Sequence, residues 1–173
     1  ITTGYFDNAI ITGNQQLLMT GGSVVTMRAS DLSYIEIRNT DPLSETVIEG
    51  IETVILEDSS SMNYQGGYSG QVRFFDDSRA VLTGGHIFSI VSFQRPLSGN
   101  YPSSYWDKHI EIACKEYDYN TATKRLTGIW ADDTAFDIYL FDQSGYYSVY
   151  SNIIFTGIPE PATLVLLGLG GLW

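Results

Sequence analysis

The sequence predicts an all-β fold: a short β-solenoid (β-helix) of about four coils, then an antiparallel β meander that caps it, then an apolar C-terminal tail. Three observations carry this expectation. The chain is rich in strand formers and poor in charge, with 12 tyrosines, 13% aromatic and only 17% charged residues in 173. Gly-Gly pairs recur between short apolar runs. Beyond residue 106 the pattern changes to longer alternating runs separated by turn residues.

The repeats come first. Ahead of the tail there are Gly-Gly pairs at Gly21-Gly22, Gly66-Gly67 and Gly84-Gly85. The unit from Ser59 to Asp76 has a polar start, a β run, the Gly66-Gly67 corner and a second β run. The unit from Asp77 to Gln94 repeats that order around Gly84-Gly85, and Gln15 to Met27 matches more loosely around Gly21-Gly22. Asp31–Arg38 begins another unit, expanded by the polar, proline-containing stretch from Asn39 to Ser44. Glycine pairs let the chain turn with positive φ at low steric cost. One coil cannot bury its apolar face alone, so several must stack. Asp31, Asp58-Ser59 and Asp77-Ser78 suit the polar outer turns. The alternative is a β-sandwich with coincidental Gly-Gly turns.

The expected organisation is repeats over 1–95, a turn-rich linker over 96–106, a capping meander over 107–157 and a tail over 158–173. In the meander, His109–Tyr117, Leu126–Trp130, Thr134–Phe141 and Tyr146–Phe155 read as successive antiparallel strands, with turns at Asp132-Asp133 and Gln143-Ser144-Gly145. Such a meander would cover the open edge of a coil stack. Tyr68-Ser69-Gly70-Gln71 reads as a turn.

The tail opens with Pro159-Glu160-Pro161, which holds the chain extended. It continues as Ala162, Thr163, Leu164 and an uncharged run to Trp173, short of the about 20 residues a bilayer span needs. Pro159, Glu160, Pro161, Ala162, Thr163 and Leu164, followed by that apolar run, resemble the PEP-CTERM sorting signal. The Asp-x-Ser…Gly-Gly units ahead of it resemble the repeats of a group of PEP-CTERM β-helical surface proteins. That resemblance implies export, a bacterial cell-surface or extracellular location, and processing of the tail by exosortase. The family's basic cluster does not follow Trp173, which reads as truncation or processing. The start at Ile1 reads as a mature form that has lost its leader.

The residues offer little catalytic chemistry. His86 and His109 have no third metal ligand type beside them in sequence. Cys114 lies in an alternating run and reads as a small buried hydrophobe. With one cysteine, no internal disulfide can form. The Gly-Gly units lack the Gly-x-Asp continuation of calcium-binding repeats. Asp76-Asp77 and Asp132-Asp133 are paired carboxylates, but neighbours in a strand face opposite ways, so each pair reads as a turn. No catalytic residue, cofactor or metal site is expected. A net charge of −11 argues against nucleic-acid partners. Tyr101, Tyr105, Trp106, Tyr146, Tyr147 and Tyr150 could stack on sugar rings or pack internally.

The expected function is a secreted, non-enzymatic structural protein of the cell surface or extracellular matrix that forms homo-oligomers or an extracellular filament, with the apolar tail, or a strand at one end of the chain, inserted into a neighbouring copy. The rival is a β-helix that binds or cleaves exopolysaccharide.

Overall fold

The computed structural model describes residues 1, 4–38, 50–98 and 107–157, and it is all-β. Thirteen strands form: β1 (Tyr5–Ile11), β2 (Gln16–Met19), β3 (Ser23–Ala29), β4 (Tyr34–Ile37), β5 (Ile51–Leu56), β6 (Ser61–Tyr64), β7 (Tyr68–Phe74), β8 (Arg79–Leu82), β9 (His86–Ser92), β10 (Ile110–Asn120), β11 (Arg125–Trp130), β12 (Ala135–Phe141) and β13 (Ile153–Thr156). Twelve of them join along one path, β1-β3-β5-β7-β9-β12-β11-β10-β8-β6-β4-β2, and this sheet curls into a nearly closed, barrel-like wall.

Most of that wall is two parallel stacks. β1, β3, β5, β7, β9 and β12 pair in parallel, and so do β2, β4, β6, β8, β10 and β13. β1, β3, β5 and β7 each continue through a polar turn into the next strand, and β2, β6 and β8 return through a Gly-Gly corner. The register advances by 18 residues per unit except in the unit that contains 39–49. Asp31 accepts from an amide 18 residues back and Asp76 does the same. The Asp58 step is 27, which places the extra residues of that unit in 39–49.

This register lines the interior with columns of apolar residues. Ala9, Met27, Val54, Val72 and Ile90 follow one another, as do Leu17, Ile35, Met62 and Ala80. Met27, Val54, Val72, Ile90, Ile35, Met62 and Ala80 are buried, as is the adjoining pair Tyr64 and Phe74. Full burial of one such side chain contributes about 1.5–3 kcal/mol. Burial drives the Tyr64 phenol far above its ordinary pKa, so it stays neutral.

Two local devices recur from unit to unit. In each Gly-Gly corner the second glycine, Gly22, Gly67 or Gly85, has positive φ. In the opposite turn, Asp31, Asp58 and Asp76 stand at φ 59, 54 and 51, where aspartate is among the tolerated L-residues. Their carboxylates form a ladder. Asp31 Oδ2 accepts from Gly13 N at 2.9 Å, Asp58 Oδ2 from Asp31 N at 3.1 Å and Asp76 Oδ2 from Asp58 N at 3.3 Å. Asp58→Ala should cost about 1–3 kcal/mol in chemical denaturation, from αL strain and the lost acceptor, while Asp58→Asn should stay within about 0.5 kcal/mol. Equal effects of the two would remove the ladder from the account.

The odd strands are not straight. Pairing skips Val25 and Glu52 between β3 and β5, and Glu52 and Gly70 between β5 and β7. The buried phase shifts across that point. Tyr68-Ser69-Gly70-Gln71, read above as a turn, is thus the first half of β7, with Ser69 fully buried. Gly70 is needed for closeness rather than turning, since a Cβ there would lie 2.6 Å from the Glu52 carbonyl.

The C-terminal part departs from a simple meander. β10, β11 and β12 are antiparallel neighbours as expected. β10 is long enough to serve two sheets: its first half lies between β8 and β13, its second pairs β11 past a bulge at Cys114/Glu116. The Tyr146–Phe155 run is not a fourth antiparallel strand. Both edges of β12 are taken, by β11 and β9, so the segment crosses through a 3-10 turn at Val149–Asn152 and ends as β13, parallel to β10.

Candidate functional site

Among the described residues, the outward side chains of the even stack form a concave surface where chemically different groups converge. Strand alternation sends Tyr34, Ser61 and Arg79 outward in one aligned row. The next outward row runs Asn63, Val81, Glu111 and Ile154 across β6, β8, β10 and β13. With Lys108 and His109 these residues line a groove of about 390 Å³. Glu111 Oε1 accepts from Thr156 Oγ1 at 2.9 Å, which fixes it at the rim. Asn63 Oδ1 beside the groove is buried and has no hydrogen-bond partner. Arg79 and Lys108 are cations on a chain of net charge −11.

A second polar assembly lies inside, at the top of the stacks. Gln94 Nε2 donates to the carbonyls of Asp76 at 2.9 Å and Ser78 at 2.7 Å, and lies 3.1 Å from His109 Nδ1. Gln94 Oε1 accepts from Asn152 Nδ2 at 2.6 Å, and Asn152 Oδ1 accepts from His109 N at 3.1 Å. Ser78, Ser92, Gln94, His109 and Asn152 are all buried. These bonds tie the end of β9, the start of β10 and the turn before β13 into one joint. Gln94 follows Asp76 by 18 residues, so it takes the next place on the aspartate ladder.

The residues singled out in sequence are dispersed. Gly21, Gly22, Gly66, Gly67, Gly84 and Gly85 lie at the corners between the stacks. His86 is exposed at the start of β9 and stacks on Tyr68, with ring centroids 5.4 Å apart. Cys114 is buried, and burial pushes its thiol pKa up, away from thiolate reactivity. Asp76 belongs to the ladder. Asp132 accepts from the hydroxyl and amide of Thr134, which hold its carboxyl below its ordinary pKa. Asp133 pairs instead with Lys115. Tyr150 stacks on Tyr119 at 4.1 Å, and Arg95 sits over Tyr147 at 5.2 Å. Tyr101, Tyr105, Trp106 and the tail residues Pro159, Glu160, Pro161, Ala162, Thr163 and Leu164 lie outside the described residues.

Sequence reasoning missed both the groove and the Gln94 joint. The signal for Gln94 was present, since the repeat frame puts it on the aspartate column. The groove mixes rows from five strands, and its outward residues share no local pattern. No family model matches the chain, and no curated protein or solved structure is detectably similar to it.

Proposed function

We propose that the chain is a non-enzymatic, self-associating structural protein of the bacterial cell surface or extracellular matrix, and that its two parallel stacks are the walls of a β-solenoid. The observation that supports this reading is the repeating register, with cross-unit bonds that recur at a separation of 18 residues in the ladder and between β7 and β9. β1–β2, β3–β4, β5–β6 and β7–β8 are then four coils. β9 starts a fifth turn that β10, β11, β12 and β13 close. Each coil adds ladder bonds and core without changing the cross-section, so the product is a stiff spacer whose stability is spread along its length. The exported half of the reading rests on the resemblance of Pro159–Leu164 to the PEP-CTERM signal, with exosortase as the processing partner.

A second reading is favoured by the groove: binding of an acidic exopolysaccharide. Arg79 and Lys108 would meet sugar carboxylates, and the Tyr34 ring would meet a sugar face.

Fractionation of the native host tests both readings. The structural reading expects the chain in the protease-accessible surface and matrix fraction, and a purely cytosolic chain overturns it. If the groove holds polysaccharide, Arg79→Ala combined with Lys108→Ala moves the chain from matrix to supernatant by about tenfold, the effect of about 1.4 kcal/mol. Unchanged retention removes the second reading and leaves the first.

A further inference from the structure

We propose that the β1 edge at the open end of the stacks is a self-association surface, occupied by β1 of a second copy of this chain set antiparallel across a two-fold axis. This rests on the self-associating solenoid reading and names its surface.

Four observations point to that occupant. First, β1 pairs only with β3, so one full side of a seven-residue strand is unpaired among the described residues. β2 is less available, because Thr20 N donates to Ile1 O at 2.8 Å and the Ile1 ammonium to Leu18 O at 2.7 Å, which lay Ile1 along it. Second, this end is almost free of charge. From Tyr5 to Gly22 the only charged side chain is Asp7, in a chain of net charge −11. Two copies can meet here with little like-charge repulsion, which the acidic remainder of the surface does not allow. The end is also apolar. Phe6 is 42% exposed, Ile10 67% and Leu18 46%. Neither lysine nor proline stands on β1, and Asp7, where its pairing to β3 skips a residue, is its one edge-guarding feature.

Third, the far end of the odd stack offers no matching edge. β12 is paired on both sides, by β9 and β11. A head-to-tail neighbour would therefore leave β1 unsatisfied, and the free edge it can meet in its own stack is another β1. Fourth, the aspartate ladder stops at this end. Gly13 stands where Asp31, Asp58 and Asp76 stand above it, at φ 66. A further parallel coil below would present its turn amide to a residue with no carboxylate. An antiparallel copy makes no such demand. The contact is isologous, so it closes at a dimer.

The test is sedimentation of the full chain at micromolar concentration, beside Phe6→Lys with Leu18→Lys, Tyr5→Lys alone, and a chain lacking 158–173. In an antiparallel pair of Tyr5–Ile11 strands centred on Asn8, a lysine at 5 or 6 lies opposite Ile11 or Ile10 of the mate, so its charge is set against apolar side chains. The expected result is a dimer for the parent and for the tail deletion, and at least a tenfold weaker dimer for the lysine variants, whose circular dichroism and melting midpoint stay near the parent's. Tyr5→Lys is placed at an exposed position so that a folding defect in the double variant cannot decide the matter alone. Dimers that survive both lysine variants but vanish with the tail overturn this surface while self-association stands. A parent that is monomeric throughout overturns both.

Discussion

Deleting Ser59–Asp76 should leave a folded protein, whereas deleting only Tyr68–Asp76 should not. The longer deletion removes one whole 18-residue period and joins Asp58 to Asp77, so the ladder aspartate, the buried serine and the following strand remain in order. β5 then runs into β8 through an intact turn, β8 rests on β4 and β9 rests on β5. Val54 comes to lie beneath Ile90, and Ile37 beneath Leu82, apolar on apolar in each column. Neighbouring units interact only with neighbours in such a stack, so the loss is one unit and not the fold. The expected cost is about 1–3 kcal/mol, a fall of about 3–10 °C in melting midpoint with one cooperative transition. The shorter deletion places β6 directly ahead of the β8 turn, leaves β5 without its upper neighbour β7, and strips the Leu56 and Val54 columns of cover. A closed barrel has no such tolerance, because strand number and stagger are fixed together. If both deletions unfold the chain, the solenoid reading fails and the barrel-like wall is the fold itself.

Much of the first 95 residues was legible because each unit carries its own punctuation. An Asp-x-Ser turn at one end of the units and a Gly-Gly pair at the other, at Gly21-Gly22, Gly66-Gly67 and Gly84-Gly85, fix the frame, and the frame fixes the interior columns. Gly70 shows where that legibility ends. Within Tyr68-Ser69-Gly70-Gln71 the residue types favour a turn locally. The backbone of Glu52 approaches so closely that a strand with glycine at the bend is the better solution. Ser69 lies fully buried in an otherwise apolar column, which no period count would place there.

The C-terminal segment was less legible for a different reason. Alternation in Tyr146–Phe155 marks a strand but not its partner. The partner was decided by which edges remained, and β9 had already taken the free side of β12. The groove is illegible for the same reason: Tyr34, Arg79 and Ile154 come together only after the stack has formed. Its chemistry is therefore a property of register, and a one-unit change such as the Ser59–Asp76 deletion would remove Ser61 and Asn63 from it while the fold persisted.

Gln94→Leu should be the most damaging single substitution outside the apolar core, with a loss of about 3–5 kcal/mol. The Gln94 amide gives its two hydrogens to the part-buried carbonyl of Asp76 and the buried carbonyl of Ser78, and its oxygen accepts from Asn152. Leucine fits the volume and leaves these groups buried without partners, each at about 1–3 kcal/mol. Asn152 retains Ser92 Oγ at 3.3 Å as an acceptor, which softens its share. Gln94→Glu separates packing from hydrogen bonding. It keeps the shape but buries a carboxylate against two carbonyl oxygens, with the His109 ring 3.1 Å away, and burial and the carbonyl repulsion push its folded-state pKa above the usual carboxylate range. The variant should therefore be least stable near neutral pH and recover as pH falls below that raised value, since the protonated acid can donate one bond. Combining Gln94→Leu with Asn152→Leu should cost less than the sum of the two by about 1–3 kcal/mol, because they share one network. Urea denaturation at several pH values reads all three. Additive losses, or a Gln94→Glu chain whose stability does not rise on acidification, would show that the joint between β9, β10 and β13 is held by the apolar contacts around it instead.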